Sequence, residues 1–355
     1  MKKFLPSLLF LLLSAASHAQ LTSGAQTLRL ARATYEQGRL HEIPSILEGF
    51  LSKFNRQEKV EAYKLLTLSY IYLEEPEKAD ESMLKLLQTD HYYEVNLKDD
   101  PAEFIALYRT FRTDPIYRIG AKVGANASQP NVKSYLPSND GISKYELGIA
   151  FQSGLVGELP ITESLVVSAE LNLQLKSFNY ENKVSKEDLS VDPSDPSYPV
   201  MLEYTTTGKE KQTWISLPVS VQYTYLKKSK LNPYVALGIS VDYLTKANNT
   251  FSRSKTDRSS YEEHSEDITF QRNQFNVSAL ASTGIKVKVP NGFAIAEVRY
   301  SYGLTTVTNS ENLYDLYLKS IPTDGYVDAL FSINSVSFTI GYVYNVFNPK
   351  KRTRK

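Results

Sequence analysis

Residues Leu165 to Lys176 read LVVSAELNLQLK, with Leu165, Val167, Ala169, Leu171, Leu173 and Leu175 separated by Ser168, Glu170, Asn172 and Gln174. A period of two with one apolar and one polar side is the signature of a β-strand that has an oily and a wet face. A sandwich strand reads the same way, so the number of repeats decides. Seven further segments between Ile116 and Tyr344 carry the pattern: one from Tyr117 and one from Tyr145, then Trp214 to Tyr225, Tyr234 to Tyr243, Phe275 to Val289, Phe293 to Tyr302 and Val336 to Tyr344. Eight amphipathic strands predict an antiparallel transmembrane β-barrel, an even count as single-chain bacterial barrels require.

The connections predict its orientation. Those around Gly157 to Glu163, Lys227 to Asn232 and Pro290-Asn291-Gly292 are short, and the last holds an Asn-Gly hairpin signal. The intervening ones, such as Tyr180 to Lys211 and Asn248 to Thr269, are long and polar and read as loops. In outer-membrane barrels short turns face the periplasm and long loops face outside, which puts both chain ends in the periplasm. Tyr117, Trp214, Tyr223, Tyr225, Phe293, Tyr302, Tyr342 and Tyr344 fall near the expected edges of the apolar band, where aromatic rings suit the headgroup layer. Tyr145, Phe178, Tyr243 and Phe275 are placed there too.

Upstream the period changes. Met1 to Ala19 has Lys2 and Lys3, an apolar run and a small-residue end, a secretory signal with cleavage expected between Ala19 and Gln20. From residue 20 to 113 the spacing is helical: Ile43, Ile46, Leu47, Phe50, Leu51 and Phe54 share one stripe, and Tyr63, Leu66 and Tyr70 share another with Ala79, Met83, Leu86 and Leu87 after them. Gly38 suits a helix end, and Pro44 and Pro76 suit helix starts. Two such hairpins resemble tetratricopeptide repeats, with Pro101 to Phe111 as a terminal cover, and such a stack either presents a concave partner-binding surface or serves as a structural spacer. Residues 114–348 form the barrel domain, and 349–355 a basic tail, solvated or resting on anionic lipid or a partner.

The segments YRIGAKVGANAS (Tyr117 to Ser128), ISLPVSVQYTY (Ile215 to Tyr225), PYVALGISVDY (Pro233 to Tyr243) and AEVRYSYGLT (Ala296 to Thr305) resemble the PorT-like outer membrane β-barrel domain. The resemblance covers nearly all the chain past Pro115 and implies an OmpA-type barrel. Within that family at least one member serves a protein-secretion machine, which suggests a scaffold or accessory role; the helical segment lies outside the resemblance.

The chemistry is sparse. There is no cysteine, so disulfides and thiolate sites are excluded. The 40 basic residues less Lys2 and Lys3 leave 38 against 39 acidic ones, which gives no support for nucleic-acid binding. His41, His91 and His264 are too few and too scattered for a histidine metal cluster, and no cofactor motif is present. His264 beside Glu263, Glu266 and Asp267 is the one hint of a rim hydrolase, and adjacent residues on an extended chain point apart, so a non-enzymatic protein is expected. Charges that alternate inward, Arg118, Lys122, Glu146, Glu170, Lys286, Glu297 and Arg299, with Lys176, Asp242 and Lys288, are expected to pair as an ionic network in the lumen. The expected contacts are outer-membrane lipid and a periplasmic or outer-membrane protein partner for the helices; a small-solute channel is the rival reading.

Overall fold

The computed structural model describes residues 24–134, 142–187, 201–225, 230–255, 263–312 and 329–352. The signal and its Ala19-Gln20 cleavage point lie outside the described residues. The chain divides into two compact units, Ile116–Val346 and a second one made of Met1–Pro115 together with Phe347–Lys355.

The larger unit is one antiparallel sheet closed on itself. Its strands are β1 (Tyr117–Ser134), β2 (Ile142–Pro160), β3 (Leu165–Glu187), β4 (Met201–Thr224), β5 (Leu231–Lys255), β6 (His264–Asp267), β7 (Phe275–Val289), β8 (Gly292–Gly303) and β9 (Leu330–Val346). Each long strand pairs with its sequence neighbour, β5 passes over the short β6 to reach β7, and β9 pairs with β1 from Tyr117↔Val346 to Ser134↔Leu330, closing a ring of eight. The short β6 pairs with β5, from Asn248↔Asp267 to Phe251↔His264.

Side-chain parity follows the pleat. On β3, Leu171, Leu173 and Leu175 face out and are exposed while Ser168, Glu170 and Asn172 are buried inside. On β4, Ile215, Leu217, Val219, Val221 and Tyr223 face out over Ser216, Ser220 and Gln222. An apolar outer belt over a polar interior is what a sheet in lipid requires.

The segments expected as long loops contain much more strand. β3, β4 and β5 run for 23, 24 and 25 residues, against 12 for β8. Tyr180 to Glu187, Met201 to Lys211 and Asn248 to Lys255 are paired in register, for example Glu181↔Thr207↔Ser252. Their alternation persists with polar residues outward, so a search for outward apolar residues stops at Leu175, Ile215 and Tyr243. Inside, Phe178, Trp214, Leu244, Ala247, Ile268, Val307, Phe331 and Ile333 form an apolar cluster at this long-strand end. Above it Tyr180 crosses Gly208, where any Cβ would come within 2.3 Å of the ring.

The smaller unit has helices α1 (residues 24–36), α2 (Ile43–Leu47, flanked by single 3-10 turns), α3 (Arg56–Tyr72), α4 (Pro76–Thr89) and α5 (Ala102–Arg109). Gly38 at φ 75° closes α1, with Arg39 N–H donating to Thr34 O and Gly38 N–H to Tyr35 O, which satisfies the terminal carbonyls. The same two-bond closure ends α3 at Glu74, a non-glycine at φ 57°. A capping box opens α3: Asn55 Oδ1 accepts from Glu58 N–H at 3.0 Å and Glu58 Oε2 accepts from Asn55 N–H at 2.9 Å. Leu28, Ala31, Ile43, Leu47, Phe54, Ala62 and Leu66 form one core, and Leu68, Met83, Leu86, Leu87, Phe104 and Phe111 another. Among the described residues no helix is long and apolar enough to cross a membrane.

The basic tail is part of this unit. Phe111 bridges Lys351 in antiparallel fashion, Arg112 N–H donates to Lys350 O at 2.9 Å, and Arg352 N–H donates to Thr110 O at 2.7 Å. As far as Arg352 the tail therefore packs on the chain's own helical unit, where the sequence left it between a solvated end, a contact with anionic lipid and a contact with a partner.

Candidate functional site

Two places concentrate chemistry: the barrel interior and a groove on the helical unit. The interior is built by inward positions that alternate with the apolar belt. Nearest the short turns, Glu158 sits between two cations, 3.2 Å from Arg118 Nη1 and 2.7 Å from Lys286 Nζ. Arg118 also donates to Asn345 Oδ1 at 3.0 Å and covers the Phe293 ring at 4.9 Å, and Lys286 donates to Gln222 at 2.7 Å.

The middle layer is denser. Arg299 grips Glu170 with two bonds of 2.6 and 2.9 Å, a fork-on-carboxylate geometry that adds direction to charge. Lys122 Nζ lies 2.8 Å from Glu170 and 3.3 Å from Glu297, Arg299 lies 2.7 Å from Glu297, and the buried Tyr234 hydroxyl donates to Glu297 at 2.5 Å. Two carboxylates and two cations thus form a square in which every charge has two opposite neighbours. Higher up, Lys176 sits 4.0 Å from Asp242 and over the Trp214 ring, and Arg272 grips Glu210 at 2.8 and 2.6 Å, with Gln212 donating to the same carboxylate. An eight-stranded barrel is just wide enough to be filled by its own side chains, and these occupy it from the ionic layers to the apolar cluster.

Of the charges expected in the lumen, Arg118, Lys122, Glu170, Lys286, Glu297 and Arg299 come together there. Glu146 does not: it is exposed, because the β2–β3 register slips by one residue between Leu147 and Gln152, and Tyr145 turns in to meet Phe178 and Phe331 instead. Lys288 is also exposed, at the last turn of β7. With Tyr145, three more expected interface aromatics face inward: Trp214, Phe293 and Phe178. Trp214 shares parity with Ser216 rather than Ile215, is 1% exposed, and its Nε1 donates to Gln212 at 2.8 Å. Phe293 shares parity with Ile295 and Glu297 and lies under Arg118. Phe178, also assigned to the interface, is fully buried. Tyr117, Tyr223, Tyr225, Tyr302, Tyr342 and Tyr344 are exposed on the outer face, with Tyr243 and Phe275.

Sequence reading missed Glu158, Tyr234, Glu210 and Arg272. Glu158 and Glu210 were legible as even-numbered partners of inward Val156 and Gln212. Arg272 was not, since it follows the 3-10 turn Thr269–Gln271 rather than lying in a strand. His264 packs beside Phe251 with ring centres 6.0 Å apart, while Asp267 is held by Thr269, whose hydroxyl donates to it and keeps its carboxyl below the usual range.

The helical groove, about 670 Å³, crosses α3. Tyr63, Leu66 and Tyr70 make its floor, Glu48 and Leu51 one wall, Lys78, Glu81 and Lys85 the other. Tyr70 Oη donates to Glu48 at 2.9 Å, and burial with that carboxylate pushes its phenol up to about 12. Lys78 pairs with Glu75 at 2.6 Å and lies over the Tyr70 ring. The arrangement offers an aromatic floor flanked by both signs of charge, which suits a peptide segment better than a single small ion.

Residues 115–309, more than half of the chain, match the family described as "Outer membrane protein beta-barrel domain". No curated protein sequence matches. Among solved structures the chain is similar to Neisserial surface protein A at 13% identity, covering 64% of this chain and 96% of that one with a TM-score of 0.29. It is also similar to Ail of Yersinia pestis at 10% identity, 65% and 98% coverage and TM-score 0.25. OprG of Pseudomonas aeruginosa gives 13% identity, 66% and 98% coverage and TM-score 0.33.

Proposed function

Given that the chain belongs to the outer membrane protein β-barrel domain family, and so resides in the outer membrane, we propose that its barrel is an anchor and that its helical unit is a TPR-like periplasmic module that docks a protein partner. The protein then acts as a non-enzymatic scaffold or accessory subunit of an envelope transport or secretion assembly. The observation that carries this reading is the filled barrel axis. An ionic square, a bidentate Arg272–Glu210 pair and an apolar cluster occupy successive layers of it, and opening them would strand buried charges at several kcal/mol each. The groove of the helical unit offers a surface for recognition.

Short turns toward the periplasm and long strands outward is the usual orientation of such barrels, and it puts residues 24–115 on the periplasmic side. The test is a photo-crosslinker in intact cells at residue 78 or 85 in the groove, with residue 29 on α1 as control. A discrete protein adduct from the groove positions alone is expected; equal labelling from all three would refute docking through the groove.

One observation favours a solute channel as second reading. The buried hydroxyls of Ser168 and Ser216 have no hydrogen-bond partner among the described residues, as groups lining a wet path would. Steady conductance in planar bilayers, altered in selectivity by Glu170→Gln or Arg299→Met, would establish that reading in place of the anchor.

A further inference from the structure

The residues after the last strand are far from the helices in sequence and integral to them in structure. Phe347 stacks on His91 with ring centres 5.2 Å apart and planes at 16°, and meets Tyr92 edge-on at 5.0 Å. Asn348 O accepts from Arg112 Nη2 at 2.9 Å, and Lys351 Nζ pairs with Asp80 on α4. With the backbone bonds of Arg112 and Arg352, the segment touches α4, the 91–92 turn and the stretch after α5. Through the isolated bridge of Lys351 it also meets Phe111, a buried member of the second helical core. In sequence, Phe111 and Lys351 lie beyond the terminal pair Tyr117↔Val346 of the β1–β9 seam. Pairing along that seam brings the segments that carry Phe111 and Lys351 toward each other.

We infer that Phe347 to Arg352 form a hook that completes the helical unit, so that closure of the barrel and completion of the helical core are one coupled event. A chain whose last strand has not paired with β1 then has an open α4–α5 edge, and the ordered helical unit reports a finished barrel. Loop-closure entropy explains why: bridging residues 112 and 348 is costly until seventeen register pairs have already joined the flanking strands. This inference concerns the folding of the unit and stands whether or not the groove binds a partner.

The test uses the full chain refolded into lipid, with barrel closure read from heat-modifiable gel mobility and the helices from hydrogen exchange. Phe347→Ala with Lys351→Ala, and separately a stop after Phe347, should leave the mobility shift intact while exchange at residues 83–93 and 104–112 accelerates tenfold or more. Unchanged exchange in both variants overturns the hook. Should the truncated chain fail to close, refolding of the unaltered chain decides. Protection of residues 104–112 should appear no earlier than the mobility shift, and protection that precedes it overturns the coupling.

Discussion

Replacing Glu170 by Gln removes one corner of the ionic square without changing its volume. In the folded barrel this carboxylate meets Lys122 at 2.8 Å, both Arg299 nitrogens at 2.6 and 2.9 Å, and Asn172 Nδ2 at 2.9 Å, and its side chain is nearly inaccessible. Breaking a buried pair by removing one partner costs roughly 3–5 kcal/mol, because the other charge stays buried. Two cations are orphaned here, yet Glu297 still faces both at 3.3 and 2.7 Å, so the cost falls near the lower bound, about 3 kcal/mol. Arg299→Met should cost about as much, and the double variant less than the two together by about 1.5 kcal/mol or more, since the stranded partner is gone. Denaturant unfolding in lipid vesicles, followed by Trp214 emission and by gel mobility, measures all three. A change below about 1 kcal/mol for Glu170→Gln, the size seen for solvated surface pairs, would refute the interlocked interior.

Trp214, the single tryptophan, should emit in the blue and resist quenchers placed in lipid chains, since it faces the lumen; efficient quenching by bilayer-embedded groups would return it to the interface. Glu74→Gly removes a left-handed non-glycine at the end of α3 and should stabilise the helical unit by about 1 kcal/mol; a loss of stability in thermal melts would show that the Glu74 side chain contributes more than the strain costs. Tyr70 ionises at about 12 in the folded state against 10.0 when free, so the unfolded chain sheds its proton first and the stability tied to it is lost as pH rises from 10 to 12. Tyr70→Phe should flatten that alkaline decline in helical circular dichroism; an identical decline in both proteins would assign it elsewhere.

The belt and the ring were legible because lipid imposes a strong rule on one parity: Leu171, Leu173 and Leu175 could face nothing but an apolar phase. Rim and interior obeyed weaker rules. Glu181, Thr207 and Ser252 form one paired row, yet all are polar, and polarity alone reads as loop. Trp214 and Phe293 were assigned by residue type, although the outward parity of Ile215 and the inward parity of Glu297 already fixed which way they point. Glu146 was misplaced by a one-residue slip that no composition signals. The ionic pairs themselves required three-dimensional closure, since Glu170 and Arg299 are separated by 129 positions. The helical hairpins showed in their stripes, but α2 is only five residues long, because Pro44 near its start and Gly49 just beyond its end leave few residues to propagate a helix.

The extended strands make substitution tolerance a ruler for the bilayer. Along β4 the even positions, from Thr206 through Glu210, Gln212 and Trp214 to Gln222, pack inward over the whole length, so they should resist change everywhere. The odd positions answer to whatever lies outside. From Tyr223 to Ile215 they should accept any apolar residue and reject charge, and from Lys211 to Thr205 the preference should invert. A saturation scan of this one strand would draw the membrane boundary between Ile215 and Lys211, with no lipid ever visualised.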